Sequence, residues 1–248
     1  MPRDGTATRQ RILDAAERLA IDNGFAATSI DQVIAASGTS KGAFFHHFDS
    51  KLALARALVE RYAAADIDQL NAALAAVRAA SDDPAEQVIA FIRYFEDGAD
   101  ELMAGQSSCL YISVLTERQL VRAGTRELIV RAVLAYRTEL SRLLQAALRA
   151  RAAEPDQPGA GAPGGADAAA EDDDSLGAAA DALADHVFVT FEGAFILARS
   201  TGYPGHMRAQ LSVLRQLLQS LLAPAAARAE PPGAAPLEAA GQPAPAVA

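Results

Sequence analysis

Alanine is the residue that most constrains how this chain can fold, because 59 of its 248 residues are Ala. Ala is the best helix former and is depleted in strands, so this composition favours an all-α fold. The chain has one Cys and therefore no internal disulfide framework. Its length suffices for one large or two ordinary domains with a real core. We therefore expect an all-helical protein that needs no covalent cross-link.

The apolar stretches of the chain are too short to span a membrane. The most apolar stretch, Val187–Ala198, is interrupted by Glu192, whereas a spanning helix needs about 20 apolar residues. The N-terminal residues MPRDGTATRQR contain no apolar core of the kind an export signal requires. The sequence predicts a cytoplasmic protein with no membrane partner.

The charge of the chain is distributed unevenly. Its net charge is −9, yet residues 1–51 hold six basic and six acidic residues. The excess of acidic residues therefore lies entirely beyond residue 51. A neutral N-terminal part with locally clustered cations is compatible with a nucleic-acid partner, and the acidic remainder is not suited to one.

Two segments lack the periodic apolar residues of a packed helix. Residues 152–175 are rich in Gly, Pro, Ala and Asp, and residues 224–248 in Ala, Pro and Gly. Neither can bury enough apolar surface to offset the entropy lost on ordering. We expect a flexible linker over 152–175 and a disordered tail over 224–248.

The rest of the sequence is divided into nine predicted helices by cap and stop residues. They run from Thr8 to Gly24, from Thr28 or Ser29 to Gly38, and from Ser40 to Phe48, followed by Lys51–Val77 (capped by Asp49 or Ser50), Pro84–Met103, Ser108–Gln119, Thr125–Arg151, Leu176–Ser200 and Gly205–Leu222.

The most informative segment is Thr28–Lys51, which reads TSIDQVIAASGTSKGAFFHHFDSK. Two short helices joined by a tight turn with a Gly are typical of a helix-turn-helix. Val33 and Ile34 would then face Phe44 and Phe48 across the turn. The residues left outward mix small side chains, hydrogen-bond donors and a cation, as a recognition helix requires: Thr39, Ser40, Lys41, Gly42, Phe45 and His46.

Residues 8–54 resemble the DNA-binding domain of the tetracycline-repressor (TetR) family of regulators. The resemblance covers ILDAAERLA, Gly24, Thr28 and above all the run G-x-S-K-G-x-[FL]-[FY]-x-H-F-x-S-K over residues 38–51. It implies an N-terminal three-helix helix-turn-helix domain followed by a helical domain for ligand binding and dimerisation, with about nine helices in all. The corresponding domains are residues 1–51 and 52–223.

The resemblance also assigns roles to single residues. It gives Thr28 a phosphate contact, places Ser40, Lys41 and Gly42 in the major groove, and makes His47 and Lys51 backbone contacts. The chain departs from the family at Phe45, where a Tyr is usual, and at Thr39, where an apolar residue is usual. Thr39 is therefore either a base contact or a second capping hydroxyl.

A heptad stripe near the C-terminus suggests an interface between helices. One recognition helix reads too little DNA on its own, and the resemblance implies a four-helix dimer interface at this end of the chain, so we expect a homodimer; the alternative is packing within one chain. The expected interface residues are Val187, Phe191, Ala194 and Ala198 on one helix and Met207, Leu211, Leu214, Leu218 and Leu221 on the next.

The resemblance further implies a cavity for a small-molecule effector in the C-terminal domain. Cys109 is either a reactive thiol near a helix start or a small buried apolar residue. The candidate cavity residues are Phe91, Phe95, Met103, Cys109, Tyr111, Tyr136 and Phe188.

The function that these features favour is a transcriptional regulator, most simply a repressor that binds a palindromic double-stranded operator as a dimer and is released by its effector. The alternatives are a DNA-binding protein without an effector and a small helical enzyme. No set of nucleophile, base and orienting group is visible, so we expect no enzyme and no cofactor. His46 and His47 point about 100° apart on a helix and do not suit one metal ion, so we expect no metal site.

Overall fold

The structure, a computed structural model, describes residues 5–105, 124–153 and 166–224. Within these ranges the chain forms nine α-helices and no strand, which confirms the all-α prediction. None of the described helices is long and apolar enough to cross a membrane. The helices are α1 (Gly5–Asn23), α2 (Ile30–Ser37), α3 (Lys41–His47), α4 (Lys51–Ala80), α5 (Pro84–Asp97), α6 (Ala99–Gly105), α7 (Arg126–Ala152), α8 (Ala166–Thr201) and α9 (Gly205–Leu222).

Serine side chains set the starts of α2, α3 and α4. Ser29 Oγ accepts from the Gln32 N–H at 3.2 Å, while the Ser29 N–H donates to Gln32 Oε1 at 2.7 Å, forming a capping box. Ser40 and Ser50 cap α3 and α4, each accepting a backbone N–H at 3.1 Å. Of the cap residues that the sequence left open, the structure selects Ser29 over Thr28 and Ser50 over Asp49.

The predicted helix Pro84–Met103 is two helices, α5 and α6, separated at Gly98. Gly costs about 1 kcal/mol relative to Ala in a helix interior, so an interruption is least costly there. The predicted helix Ser108–Gln119 lies outside the described residues.

The expected linker over residues 152–175 is wrong in its second half. Helix α8 already begins at Ala166, whereas α7 ends at Ala152, one residue after the predicted end at Arg151. After residue 165 the sequence is Ala-rich and free of Pro, so helix propensity is high there. Three side-chain contacts with α7 hold α8 at one antiparallel register: Arg137–Asp185 at 2.5 Å, Ser141–Asp181 at 2.6 Å and Arg149–Asp173 at 2.7 Å.

One hydrophobic core joins the first three helices to the first half of α4. Val33, Phe44 and Phe48 are buried in it and Ile34 packs against it, as the sequence predicted. The same core includes Tyr62 of α4 and Ile129 of α7, so it extends beyond the expected domain boundary at residue 51.

A second core joins the rest of α4 to helices α5–α9. Most residues of the heptad stripe are buried in this core. The expected interface residues Val187, Ala194, Ala198, Met207, Leu211, Leu214 and Leu218 are buried within the single chain, and Phe191 packs against the same core. Of the nine, Leu221 is exposed. The expected dimer mapping is therefore wrong for the buried residues, because a heptad stripe packs equally well against helices of its own chain.

An ion pair between Glu96 of α5 and Arg215 of α9 stabilises this second core. Arg215 Nε donates to Glu96 Oε2 at 2.6 Å. The side chain of Arg215 is only 19% exposed and that of Glu96 only 13%. Burial alone would raise the pKa of Glu96, but the hydrogen bonds and charge of Arg215 outweigh burial and hold that pKa below its usual value.

We expect Arg215→Met to lower the free energy of unfolding by about 2–4 kcal/mol, because it leaves a carboxylate in the core without its cation. Since the pKa of Glu96 is lowered by folding, the contribution of the pair is present above the unfolded pKa of about 4.3 and is lost as pH falls through the folded value. Urea unfolding at fixed protein concentration, at pH 7 and below pH 4, measures both effects.

Arg208→Met is the matched control, because Arg208 makes an exposed ion pair with Asp100 at 2.8 Å. Exposed pairs contribute about 0–1 kcal/mol. Equal losses in the two variants at pH 7 would contradict a stabilising role for the Glu96–Arg215 pair.

Candidate nucleic-acid interface and interior cavity

The turn between α2 and α3 is closed by a left-handed glycine. Gly38 has φ 63° and ψ 30°, and its N–H donates to carbonyl groups at the end of α2. Such a backbone conformation favours Gly because it has no Cβ. Thr39 lies next to it, and its hydroxyl is 2.8 Å from the Ser37 hydroxyl, so Thr39 acts as a turn residue in the structure.

Helix α3 buries one face and exposes the other. Phe44 is completely buried and Phe48 nearly so, and their ring centroids lie 5.9 Å apart. Ser40, Lys41, Gly42, Phe45 and His46 are exposed. Although Ser40 Oγ accepts the Ala43 N–H, its own O–H can still donate to a phosphate. The first turn of α3 thus presents small groups, a hydrogen-bond donor and a cation to solvent.

Thr28 is placed differently from the phosphate contact that the resemblance implies. Its side chain is almost completely buried, and its hydroxyl donates to the carbonyl oxygens of Leu19 and Gly24 at 3.2 and 3.0 Å. Both the burial and the hydrogen bonds turn this hydroxyl away from solvent. The structure therefore corrects its role to fastening the end of α1 to the start of α2.

The two other residues expected to contact the DNA backbone are also engaged within the chain. Lys51 Nζ donates to the Ala26 carbonyl at 2.8 Å and lies 4.9 Å from the centroid of the Phe25 ring. His47 is partly buried, and burial together with the nearby charges of His46 and Arg9 lowers its pKa. A neutral His47 can donate one N–H to a phosphate but contributes no charge.

No group of three or more His, Cys, Asp or Glu side chains within the described ranges is arranged to hold a metal ion. The rings of His46 and His47 do lie near each other, with centroids 5.1 Å apart. A structural zinc site needs four ligands, which this pair does not supply among the described residues.

An interior cavity of about 100 Å³ lies between α4, α5, α6, α7, α8 and α9. Four of the residues expected in an effector site line it: Phe91, Phe95, Tyr136 and Phe188. Met103 is buried but is not among the lining residues. Cys109 and Tyr111 lie outside the described residues, so their expected roles in the cavity remain predictions.

Polar groups enter this cavity that the sequence analysis did not assign to it. Glu192 of α8 and Asp66 of α4 both line it. Burial, together with the negative charge of Asp66, raises the pKa of Glu192 to about 7. The Tyr136 hydroxyl donates to the Asp66 carbonyl at 3.0 Å, and burial raises the pKa of that hydroxyl. The signal in the sequence was the single acid within the apolar stretch Val187–Ala198.

Comparison with known proteins points to the N-terminal helices. Residues 12–58 match the model of a family described as bacterial regulatory proteins, tetR family. The chain is 39% identical over 63 residues to the uncharacterised HTH-type transcriptional regulator YerO of Bacillus subtilis, covering 25% of this chain and 22% of that protein. It is 35% identical over 81 residues to the HTH-type transcriptional repressor AcnR of Corynebacterium glutamicum, covering 32% and 43% of the two chains. The matches thus span less than half of the length of these curated relatives.

Solved structures share the fold over most of the chain. A TetR transcriptional regulator from Chloroflexus aurantiacus superposes with a TM-score of 0.60 at 22% identity, covering 88% of this chain and 96% of that one. The fatty acid degradation regulator FadR from Bacillus halodurans superposes with a TM-score of 0.58 at 15% identity, covering 85% and 94%.

Proposed function

We propose that the chain is a bacterial transcriptional regulator of the TetR family, which binds a two-fold symmetric operator as a homodimer and represses transcription until a small molecule releases it. Regulators of this family bind DNA, generally as dimers, and are not enzymes. The proposed site of action is the cytoplasm, where bacterial DNA lies.

The observation that carries the proposal is the exposed first turn of α3. It projects from a buried aromatic anchor, and its Gly42 has no side chain to obstruct a close approach. A Cβ built at Gly42 meets only Ser40 Oγ, at 4.0 Å, so nothing in the protein requires glycine there for space. Close approach to a DNA base or phosphate is a reason for glycine at such a position. We place Ser40, Lys41 and Gly42 in the major groove on this ground.

The outward faces of α8 and α9 supply the proposed dimer interface. Each presents an exposed apolar stripe at helical spacing, Val189, Ile196 and Leu197 on α8 and Val213, Leu217 and Leu221 on α9. Neither stripe contains a charged residue, since Glu192 lines the cavity and Arg215 pairs with Glu96. Exposed Gly193 lies along the α8 stripe with open space around it, which permits close helix crossing. An uncharged apolar surface with small residues suits a second copy of this chain.

Helix α4 is the proposed connection between the cavity and the operator. Its N-terminus follows directly after α3, and Asp66 near its middle lines the cavity. Two recognition helices must lie about 34–36 Å apart to enter successive major grooves. An effector that displaces α4 would change this separation and misalign the two half-sites.

Footprinting on the DNA that flanks its own gene tests the proposal. We expect a protected site with two-fold symmetry whose half-sites are separated by one helical turn. A protein that binds DNA nowhere specifically would contradict it. A footprint that no small molecule weakens would favour a DNA-binding protein without an effector. By linkage, an effector that weakens DNA binding must itself bind less tightly to the operator complex, so calorimetric titration with and without operator checks the switch.

A further inference from the structure

We infer that the interior cavity binds an organic cation, an ammonium group that carries an apolar or aromatic body, with Glu192 as its counter-ion. This inference rests on the proposed function in one respect: if the protein is a regulator released by a small molecule, the organic cation is the class of that effector. Binding itself can be measured without DNA.

The walls of the cavity are aromatic on several sides. Phe95 is at the centre of the cluster: its ring centroid lies 5.2 Å from that of Phe91, 6.2 Å from that of Tyr136 and 5.7 Å from that of Phe191. All four rings line the cavity, as does Phe188. The faces of aromatic rings carry partial negative charge and attract cations, with a gain that increases when water is excluded. The rings therefore provide a site for an apolar body and for a positive head group.

The charges around the cavity leave Glu192 without a cation. On α7, Arg137 lines the cavity but its guanidinium is held by Asp185 at 2.5 Å and Asp181 at 3.5 Å. On α4, Asp66 adds a second carboxyl group. The lining residues of α5, α6 and α9 are apolar. Within the described residues no ion pair or hydrogen bond engages the Glu192 side chain, and burial raises its pKa to about 7.

These features discriminate between classes of ligand. An anion would meet two carboxyl groups and no cation that lacks an anionic partner among the described lining residues. A bare metal ion would find too few ligands, because no group of three candidate donors exists among the described residues. A neutral apolar molecule would leave Glu192 desolvated without compensation. An organic cation can pack against the aromatic rings and pair with the carboxylate of Glu192.

The test uses two probes of the same shape, phenyltrimethylammonium and its neutral isostere tert-butylbenzene. Scanning calorimetry of the full chain measures the rise in Tm with each probe, from which the Kd follows by linkage. We expect Glu192→Gln to weaken phenyltrimethylammonium binding at least about 10-fold and not to weaken tert-butylbenzene binding. Because the cation favours the ionised carboxylate, its affinity for the wild type falls as pH drops below about 7, and this dependence is absent in Glu192→Gln.

Glu60→Gln is the matched control, because it removes the same charge from an exposed ion pair with Arg56. It should leave both affinities unchanged. Unaltered cation binding in Glu192→Gln, or no rise in Tm with the cation at millimolar concentration, would overturn the inference. Binding of tert-butylbenzene to Glu192→Gln shows that the cavity persists in that variant. A protein that binds the cation but protects no DNA would refute the proposed function and leave this inference standing.

Discussion

Gly42→Leu should abolish specific DNA binding while the protein remains folded. The position is exposed, and a Cβ there meets no atom closer than 4.0 Å. Leu is also the better helix former by about 0.8 kcal/mol, so the Tm should be unchanged or higher. In the major groove the added side chain would hold α3 away from the bases, and we expect at least about a 100-fold loss of operator affinity. Mobility shift and footprinting measure the loss, and circular dichroism follows the fold.

Ala76→Leu provides the control for added bulk, since Ala76 is exposed on α4 and outside both hydrophobic cores. It should bind the operator like the wild type. If Gly42→Leu gives the same footprint as Ala76→Leu, α3 does not enter the groove.

Leu217→Asp should convert the proposed dimer into a folded monomer and remove operator binding with it. Leu217 is 59% exposed in the single chain, so a charge there costs the isolated subunit little. In a two-fold interface each copy of the patch meets its counterpart, and the substitution places two unpaired carboxylates in an apolar contact at a cost of several kcal/mol. Sedimentation at micromolar concentration measures the assembly.

Leu134→Asp makes the same substitution at an exposed leucine of α7 that lies off the two stripes. It should remain dimeric. By contrast, Leu214→Asp would place a carboxylate in the core, where Leu214 is 3% exposed, and should unfold the protein. A dimeric Leu217→Asp would exclude the outward faces of α8 and α9 as the interface.

The sequence predicted best where structure is local. Ser29, Ser40 and Ser50 cap helices, Gly38 closes the turn, and Val33 and Phe44 share one core, because each feature depends on residues that are close together in the sequence. Such caps and turns follow from short-range hydrogen bonding that a single sequence displays directly.

The sequence predicted least where two surfaces compete for the same residues. The stripe Met207–Leu218 indicates an apolar face but not whether that face meets its own chain or another. It meets α5 and α8, while Val213, Leu217 and Leu221 of the same helix face outward. In the sequence Glu192 is only an interruption of an apolar stretch, since it is the packing of six helices that places it at a cavity.

Helix α4 belongs to both hydrophobic cores, with Leu54, Leu58 and Tyr62 in the first and Leu70, Leu74 and Val77 in the second. The two cores are therefore connected by one uninterrupted helix, with no loop between them. Loss of either core would expose one end of this helix, which favours a single cooperative unfolding transition over two separate ones. A chimaera that grafts these N-terminal helices onto the C-terminal helices of a different protein must for the same reason join the two sequences within a helix, in register with the faces that each core buries.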